Sequence, residues 1–322
     1  MKTTERRKDT EDALISVVIP CLNESGNIRK IYGAIREALA SRRYELIFVD
    51  DGSTDDTLDL LKSLAREDPG VRYLSFSRNF GHQNALKAGL DVATGDCVIS
   101  LDADGQHPPF IIPQMIAKWQ EGYDIVYTSR NDKENISTFN RVTSKIFYKI
   151  LNIFSEIRID PGSADFRLLD RKVVDVLKEM PEHDPFLRGI IKWVGFRQTV
   201  ISFVPEKRFA GKTKYSLSRK IRFAASGITS FSTKPLKVSI YTGFIFAFSA
   251  FLYGLYAIYE TLFTDNTITG WTSLIVSILF IGGIQLIMIG ILGEYLGKLF
   301  VENKRRPNYI VRETNIDLNN KS

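Results

Sequence analysis

Cysteine and histidine are scarce in this sequence of 322 residues, which has two of the first and three of the second. Cys21 and Cys97 have no CxxC neighbour and no histidine cluster beside them. That excludes a disulfide scaffold, a zinc finger and a dithiol redox motif, and it fits a reducing compartment. Glycine-rich phosphate loops are missing as well. The first apolar run, VVIPCLNES, lacks GxGxxG, and no GxxxxGK(S/T) occurs anywhere. Nicotinamide and P-loop chemistry therefore lack their phosphate cradle. There is no internal repeat and no low-complexity tract. No apolar leader follows Met1, and the mixed charges of residues 1–13 read as a disordered tail.

What the sequence does have is two long stretches without a single charge. Val238–Tyr259 and Trp271–Gly293 are each long enough to cross a hydrocarbon core of about 30 Å. A mean hydropathy of −0.07 hides them by averaging. A pair of buried core helices would normally keep a polar face, and these have none. The connector Glu260–Gly270 carries Glu260 and Asp265 and no Lys or Arg. Lys234 and Lys237 precede the first stretch, and Lys298, Lys304, Arg305 and Arg306 follow the second. The positive-inside rule then predicts a hairpin at 236–262 and 270–297 with both flanks cytoplasmic. A basic tail at 298–322 follows it. From Lys207 to Lys237 there are nine Lys or Arg and no Asp or Glu, against a net charge of +6 for the whole chain. So local a basic patch, placed just before the membrane, suits anionic headgroups or a phosphate-bearing lipid better than nucleic acid. Residues 216–235 read as an interfacial amphipathic helix.

Residues 14–215 form a cytoplasmic domain in this reading, with a different rhythm. Strand-like runs at Leu14–Pro20, Tyr44–Asp50, Val71–Phe76, Cys97–Leu101 and Asp124–Ser129 alternate with helical stretches. This predicts an α/β fold with a mostly parallel sheet. Such sheets bind ligands beyond the carboxyl ends of their strands. The polar clusters Asn23-Glu24, Asp50-Asp51 and Asp102-Asp104 fall at those ends. Two carboxylates spaced as Asp102 and Asp104 can hold a hard divalent cation. A solvated turn is the plainer alternative. Ser53 is expected to cap the helix after the second strand. His82 and His183 read as ordinary surface or packing residues.

The strings VVIPCLNES, FVDDGSTDDT, SRNFGHQNALKAGL and GDCVISLDADGQHPP resemble glycosyltransferase family 2 with a GT-A fold. With DFRLLDR, GKTKYS and GEYLGKLFVENKRRPNYIV, the chain resembles the polyprenyl-phosphate branch, similar to GtrB and the dolichol-phosphate mannose synthases. The resemblance spans residues 14–312. It implies that Pro20, Asn23, Glu24, Asp50, Asp51 and Ser53 line a nucleotide-sugar pocket. Asp104 would be the principal ligand of Mg²⁺ or Mn²⁺, Asp102 would contact metal or ribose, and Gln106 the sugar or diphosphate. The family more often has DADLQDPP where this chain has Gly105 and His107. His107 as a further metal ligand is an alternative. Asp165 aligns with a suspected catalytic base, or it organises the acceptor site. Arg208, Lys212 and Lys214 resemble a basic loop at the diphosphate or lipid phosphate, and Arg167, Arg188 and Trp193 belong to the acceptor side.

The implied reaction is inverting transfer of a sugar, with UDP-glucose the favoured donor, to undecaprenyl phosphate on the cytoplasmic leaflet of the inner membrane. A homotetramer is expected from the same resemblance. A processive polysaccharide synthase of the same superfamily is the first rival, but its Q-x-x-R-W motif does not occur. A non-enzymatic transporter or flippase subunit is the second, and it leaves the Asp-x-Asp pair without a role.

Overall fold

The computed structural model describes residues 12–130, 163–183, 185–203, 232–263 and 270–317. The described residues before 204 and those from Arg306 onward form one compact unit, and those of 232–305 form a second.

The first unit is built on an eight-stranded sheet. Five strands and their helices follow the chain in alternation: β1 (Ile15–Cys21), α1 (Ile28–Leu39), β2 (Tyr44–Asp50), α2 (Thr57–Glu67), β3 (Val71–Phe76), α3 (His82–Val92), β4 (Cys97–Ser100), α4 (Ile112–Gln120) and β5 (Ile125–Arg130). Then come β6 (Ser163–Asp170), α5 (Arg171–Glu179), α6 (Leu187–Trp193) and β7 (Gln198–Phe203), with β8 (Val311–Thr314) much later. The strand order is β7-β5-β6-β4-β1-β2-β3-β8. β1 pairs in parallel with both β2 and β4, and β2 with β3. β6 runs antiparallel between β4 and β5, and β8 antiparallel to β3.

Alternation on β1 explains why helices cover both faces. Ile15, Val17, Ile19 and Cys21 share one core cluster with Ile28, Ile31, Ile35 and Leu39, which recur along α1 at helical spacing. Val18 points the other way, onto α3, where Gly89 leaves no room for a Cβ against its methyls. After β3 the chain crosses back over β1 to form β4. The strand order therefore reverses between β1 and β4, and a crevice opens there at the carboxyl ends.

β8 corrects the sequence reading. Residues expected to be a basic tail return to the sheet edge. Leu74 pairs with Thr314 and Ser75 with Glu313. The Tyr73 N–H donates to Asn315 Oδ1 at 2.8 Å, and Asn315 Nδ2 donates to the Val71 carbonyl at 3.1 Å. Tyr309 stacks on Phe76 with ring centroids 5.0 Å apart.

The second unit is a pair of long helices, α7 (Lys234–Phe263) and α8 (Trp271–Asn303). Both are long and apolar enough to cross a membrane. Phe244, Ile245, Leu279 and Leu286 are exposed, so these side chains have no protein core around them. Phe246 meets Phe280 edge-on at 5.7 Å, and Tyr295 donates to the Ser232 carbonyl at 2.6 Å.

Asn315→Ala removes both side-chain bonds to the β3 edge. It should lower stability by about 1–3 kcal/mol, the cost of leaving such groups unsatisfied. The check is the melting midpoint in detergent, and an unshifted midpoint would mean that this end of the chain does not hold the edge.

Candidate active site

The crevice is floored by two loops zipped together. After β1, Asn23 adopts φ +56°, a left-handed conformation that Asn tolerates well. Its N–H donates to Ser53 Oγ at 2.9 Å, and its Oδ1 accepts from the Thr54 N–H at 2.8 Å. The Glu24 N–H donates to Thr57 Oγ1, and Glu24 Oε2 accepts from Asn27 Nδ2. Ser53 is thus not the helix cap that the sequence suggested. α2 begins at Thr57, whose N–H and hydroxyl donate to Asp55.

Asp50 and Asp51 are turned inward. Asp50 is fully buried, with Oδ1 accepting from the Ser53 N–H and Oδ2 from Ser75 Oγ. Asp51 accepts from the N–H groups of Phe80 and Gly81, while burial pushes its carboxyl up. These two carboxylates hold the loops at the pocket floor. Gly52, next after Asp51, has φ +74°, and a Cβ there would lie 2.5 Å from the Arg78 carbonyl carbon. Only glycine fits this approach. Pro20 is buried in β1 behind the loops.

Beyond β4 the side chains alternate. Leu101, Ala103, Gly105 and His107 are buried, whereas Asp102, Asp104 and Gln106 are partly exposed. The three motif side chains are therefore the accessible ones of this turn. Asp104 Oδ1 accepts from the Gln106 N–H at 3.0 Å. Gly105 has φ +77°, where the leucine more usual in the resembled family would be strained. His107 lies beneath the turn, stacked on Phe166 at 5.4 Å. Its Nδ1 accepts from the Asp102 N–H at 3.0 Å. That nitrogen carries no proton, so it makes no salt bridge with Asp102 Oδ2 at 3.6 Å, and its lone pair is not open to a metal.

The reversed strand completes the site. Antiparallel register sets Ser100 opposite Arg167 and so brings Asp165 level with Asp102. Ser100 Oγ donates to the Asp165 carbonyl at 2.6 Å. Arg188, the second residue of α6, grips the Asp165 carboxylate with two bonds, Nε to Oδ1 at 2.8 Å and Nη2 to Oδ2 at 2.7 Å. Arg167 Nη2 reaches Oδ1 at 3.5 Å. Burial alone would push the Asp165 carboxyl up, but the Arg188 charge and bonds, with His82 and Arg167, hold it well below the usual carboxylate range. Burial draws Arg167 down to about 10.

Sequence reasoning missed His82. Its Nε2 stands 3.4 Å from Asp102 Oδ1 and 3.6 Å from Asp165 Oδ2. The available signal was its place directly after β3, at the same sheet edge as the acidic clusters. Arg208, Lys212, Lys214 and residues 216–231 lie outside the described residues. Trp193 ends α6 and is exposed.

Partial desolvation works against a charged His82, whose side chain is still 43% exposed, and Asp165 and Asp102 outweigh it and push the ring up to about 9 from 6.5. The folded value is the higher one. Its stabilising contribution is therefore full below the unfolded value and lost as pH rises through the folded one. The melting-midpoint gap between wild type and His82→Gln should narrow from about pH 6 to about pH 10. A gap independent of pH would mean that the ring is not held charged.

Comparison with known proteins agrees with this architecture. Residues 16–177 match Glycosyl transferase family 2, and residues 234–299 match the GtrB C-terminal hairpin. The prophage bactoprenol glucosyl transferase homolog of Escherichia coli (strain K12) is 45% identical over 300 residues, covering 92% of this chain and 98% of its own. The bactoprenol glucosyl transferase of Shigella phage SfV is also 45% identical over 300 residues, with coverages of 92% and 98%. Among solved structures, the mannosyltransferase PcManGT from Pyrobaculum calidifontis, in complex with GDP-Man and Mn2+, is 16% identical with a TM-score of 0.48, covering 92% of this chain and 87% of that one. A GT-A sheet with acidic residues at its switch point, followed by an apolar helical hairpin, thus carries both family matches, and the chain belongs to glycosyl transferase family 2, in the group that ends in the GtrB hairpin.

Proposed function

We propose that this glycosyltransferase moves a sugar from a nucleotide-diphosphate sugar to the phosphate of a polyprenyl carrier, with inversion at the anomeric carbon. The observation that carries the reading is one crevice with two chemistries. Asp102, Asp104 and Gln106 are the accessible residues of the turn at the switch point, and Asp165, gripped by Arg188, lies level with Asp102. The names of the two bactoprenol glucosyl transferase relatives support glucose as the sugar and undecaprenyl phosphate as the acceptor. UDP-glucose is the favoured donor.

A divalent cation fits the donor side. Asp102 and Asp104 offer hard carboxylate oxygens from partly exposed side chains of one turn, and among the described residues no group of three His, Cys, Asp or Glu gathers into a closed cage. That donor set suits Mg²⁺ or Mn²⁺, which complete their shells with phosphate oxygens and water. When bound, such a cation would offset the negative charge of the departing nucleoside diphosphate. Asn23, Glu24 and the loops held by Asp50 and Asp51 would receive the nucleotide.

The acceptor needs little help from a base. A phosphate monoester has its second pKa near 6 and is largely dianionic at neutral pH. Asp165, held well below the usual carboxylate range, is a weak base in any case. We therefore assign it to organising Arg188, whose planar guanidinium matches phosphate geometry. Arg208, Lys212 and Lys214 fit contacts to the diphosphate or the lipid phosphate by their position in the sequence. The Lys and Arg flanking the hairpin support both termini on the cytoplasmic side, where nucleotide sugars are found.

The test is transfer of radiolabelled sugar from a panel of nucleotide sugars to undecaprenyl phosphate. Label should enter the lipid phase from UDP-glucose with inverted configuration. Label that stays water-soluble for every donor would overturn the reading. Chelation should abolish transfer, and Mg²⁺ or Mn²⁺ should restore it. Asp104→Asn should lose most turnover while its melting midpoint stays near wild type, because this carboxylate is partly exposed on a turn. Full turnover in excess chelator would remove the metal from the scheme.

A further inference from the structure

The His82 ring joins parts of the site that the chain brings from far apart. Asp102 follows β4 on the donor side, and Asp165 lies on β6 on the acceptor side. Nε2 of His82 stands between them, at 3.4 Å and 3.6 Å. The next residue makes a second link. Gln83 Oε1 accepts from the Leu187 N–H at 3.3 Å, at the start of the helix that carries Arg188. The first turn of α3 therefore touches the donor turn, the acceptor carboxylate and the acceptor helix. The ring itself is 43% exposed, too open for a packing residue.

We propose that His82 is a positioning residue that holds the donor carboxylate Asp102 and the acceptor pair Asp165–Arg188 in fixed separation, so that the sugar and the lipid phosphate meet in line. This rests on the reading that Asp102 serves the donor and Arg188 the acceptor. The function follows from geometry. In-line displacement depends on the distance between two substrates bound by different elements. A misplacement of about 1 Å can cost on the order of 10²-fold in rate. Among the described residues, His82 is the one side chain that meets the carboxylates of both Asp102 and Asp165. Losing the bridge should impair the encounter of two bound substrates more than the binding of either.

Three variants test this in the full-length protein in detergent, with nucleotide sugar and undecaprenyl phosphate each varied while the other is saturating. A glutamine amide nitrogen reaches the place of Nε2, whereas an asparagine amide stops near Nδ1. His82→Ala and His82→Asn should therefore lower kcat at least about tenfold, with KM for donor and acceptor each within about threefold. His82→Gln should recover a large part of the lost kcat. In a double-mutant cycle, His82→Ala and Asp165→Asn should be strongly non-additive, because both break one bridge. Melting midpoints of all variants accompany the kinetics, and if His82→Ala unfolds, the Gln and Asn pair decides. Equal kcat for Gln and Asn, a loss confined to one KM, or additive effects with Asp165→Asn would each overturn the bridge while transfer by the wild type stands. Absence of lipid transfer by the wild type would overturn the bridge together with the functional reading beneath it.

Discussion

A buried carboxylate needs partners, and Asp165 draws them from three elements. Removing such a charge from water costs several kcal/mol unless ion pairs and hydrogen bonds replace the solvent. Arg167 comes from the same strand, Arg188 from α6 and His82 from the start of α3. Satisfying one side chain therefore fixes a strand and two helices at the mouth of the crevice. The backbone joins in through the Ser100 hydroxyl, which ties β4 to the Asp165 carbonyl. The donor turn that follows β4 is thus tied to the backbone of the same residue.

Reversal of β6 makes this possible. Were it parallel to β4, Asp165 would sit toward the opposite edge of the sheet, away from Asp102. One antiparallel strand in a parallel region carries its N-terminal residues to the ligand edge. A second set of side chains then faces the residues that follow β1, β2 and β4.

Much of this is legible from the residues alone. β1 to β5 announce themselves as apolar runs ended by polar clusters, and the helices between them by apolar residues at helical spacing. Asp102 and Asp104 stand out because a strand end in such a sheet is a ligand position. Other features leave no local trace. SADFRLLD is not among the strands that the sequence predicts, and no residue in it encodes its direction. Ser53 has the composition of a helix cap, yet its hydroxyl is taken by the Asn23 N–H of the neighbouring loop. His82 is a single histidine in a helical run, and its meaning comes from Asp102 and Asp165, which are distant in sequence. β8 is four residues, VRET, too short and too polar to signal a strand until an open sheet edge is there to receive it.

That last strand has a consequence for how the molecule is made. Synthesis runs from the N-terminus, so the whole parallel region and both hairpin helices emerge before Val311 does. Until then the β3 edge shows its peptide groups unpaired, a surface open to pairing with any other strand. The β3 edge is thus covered by a strand that is made after both apolar helices. Pairing of the β3 edge by Val311–Thr314 therefore waits on synthesis of both apolar helices.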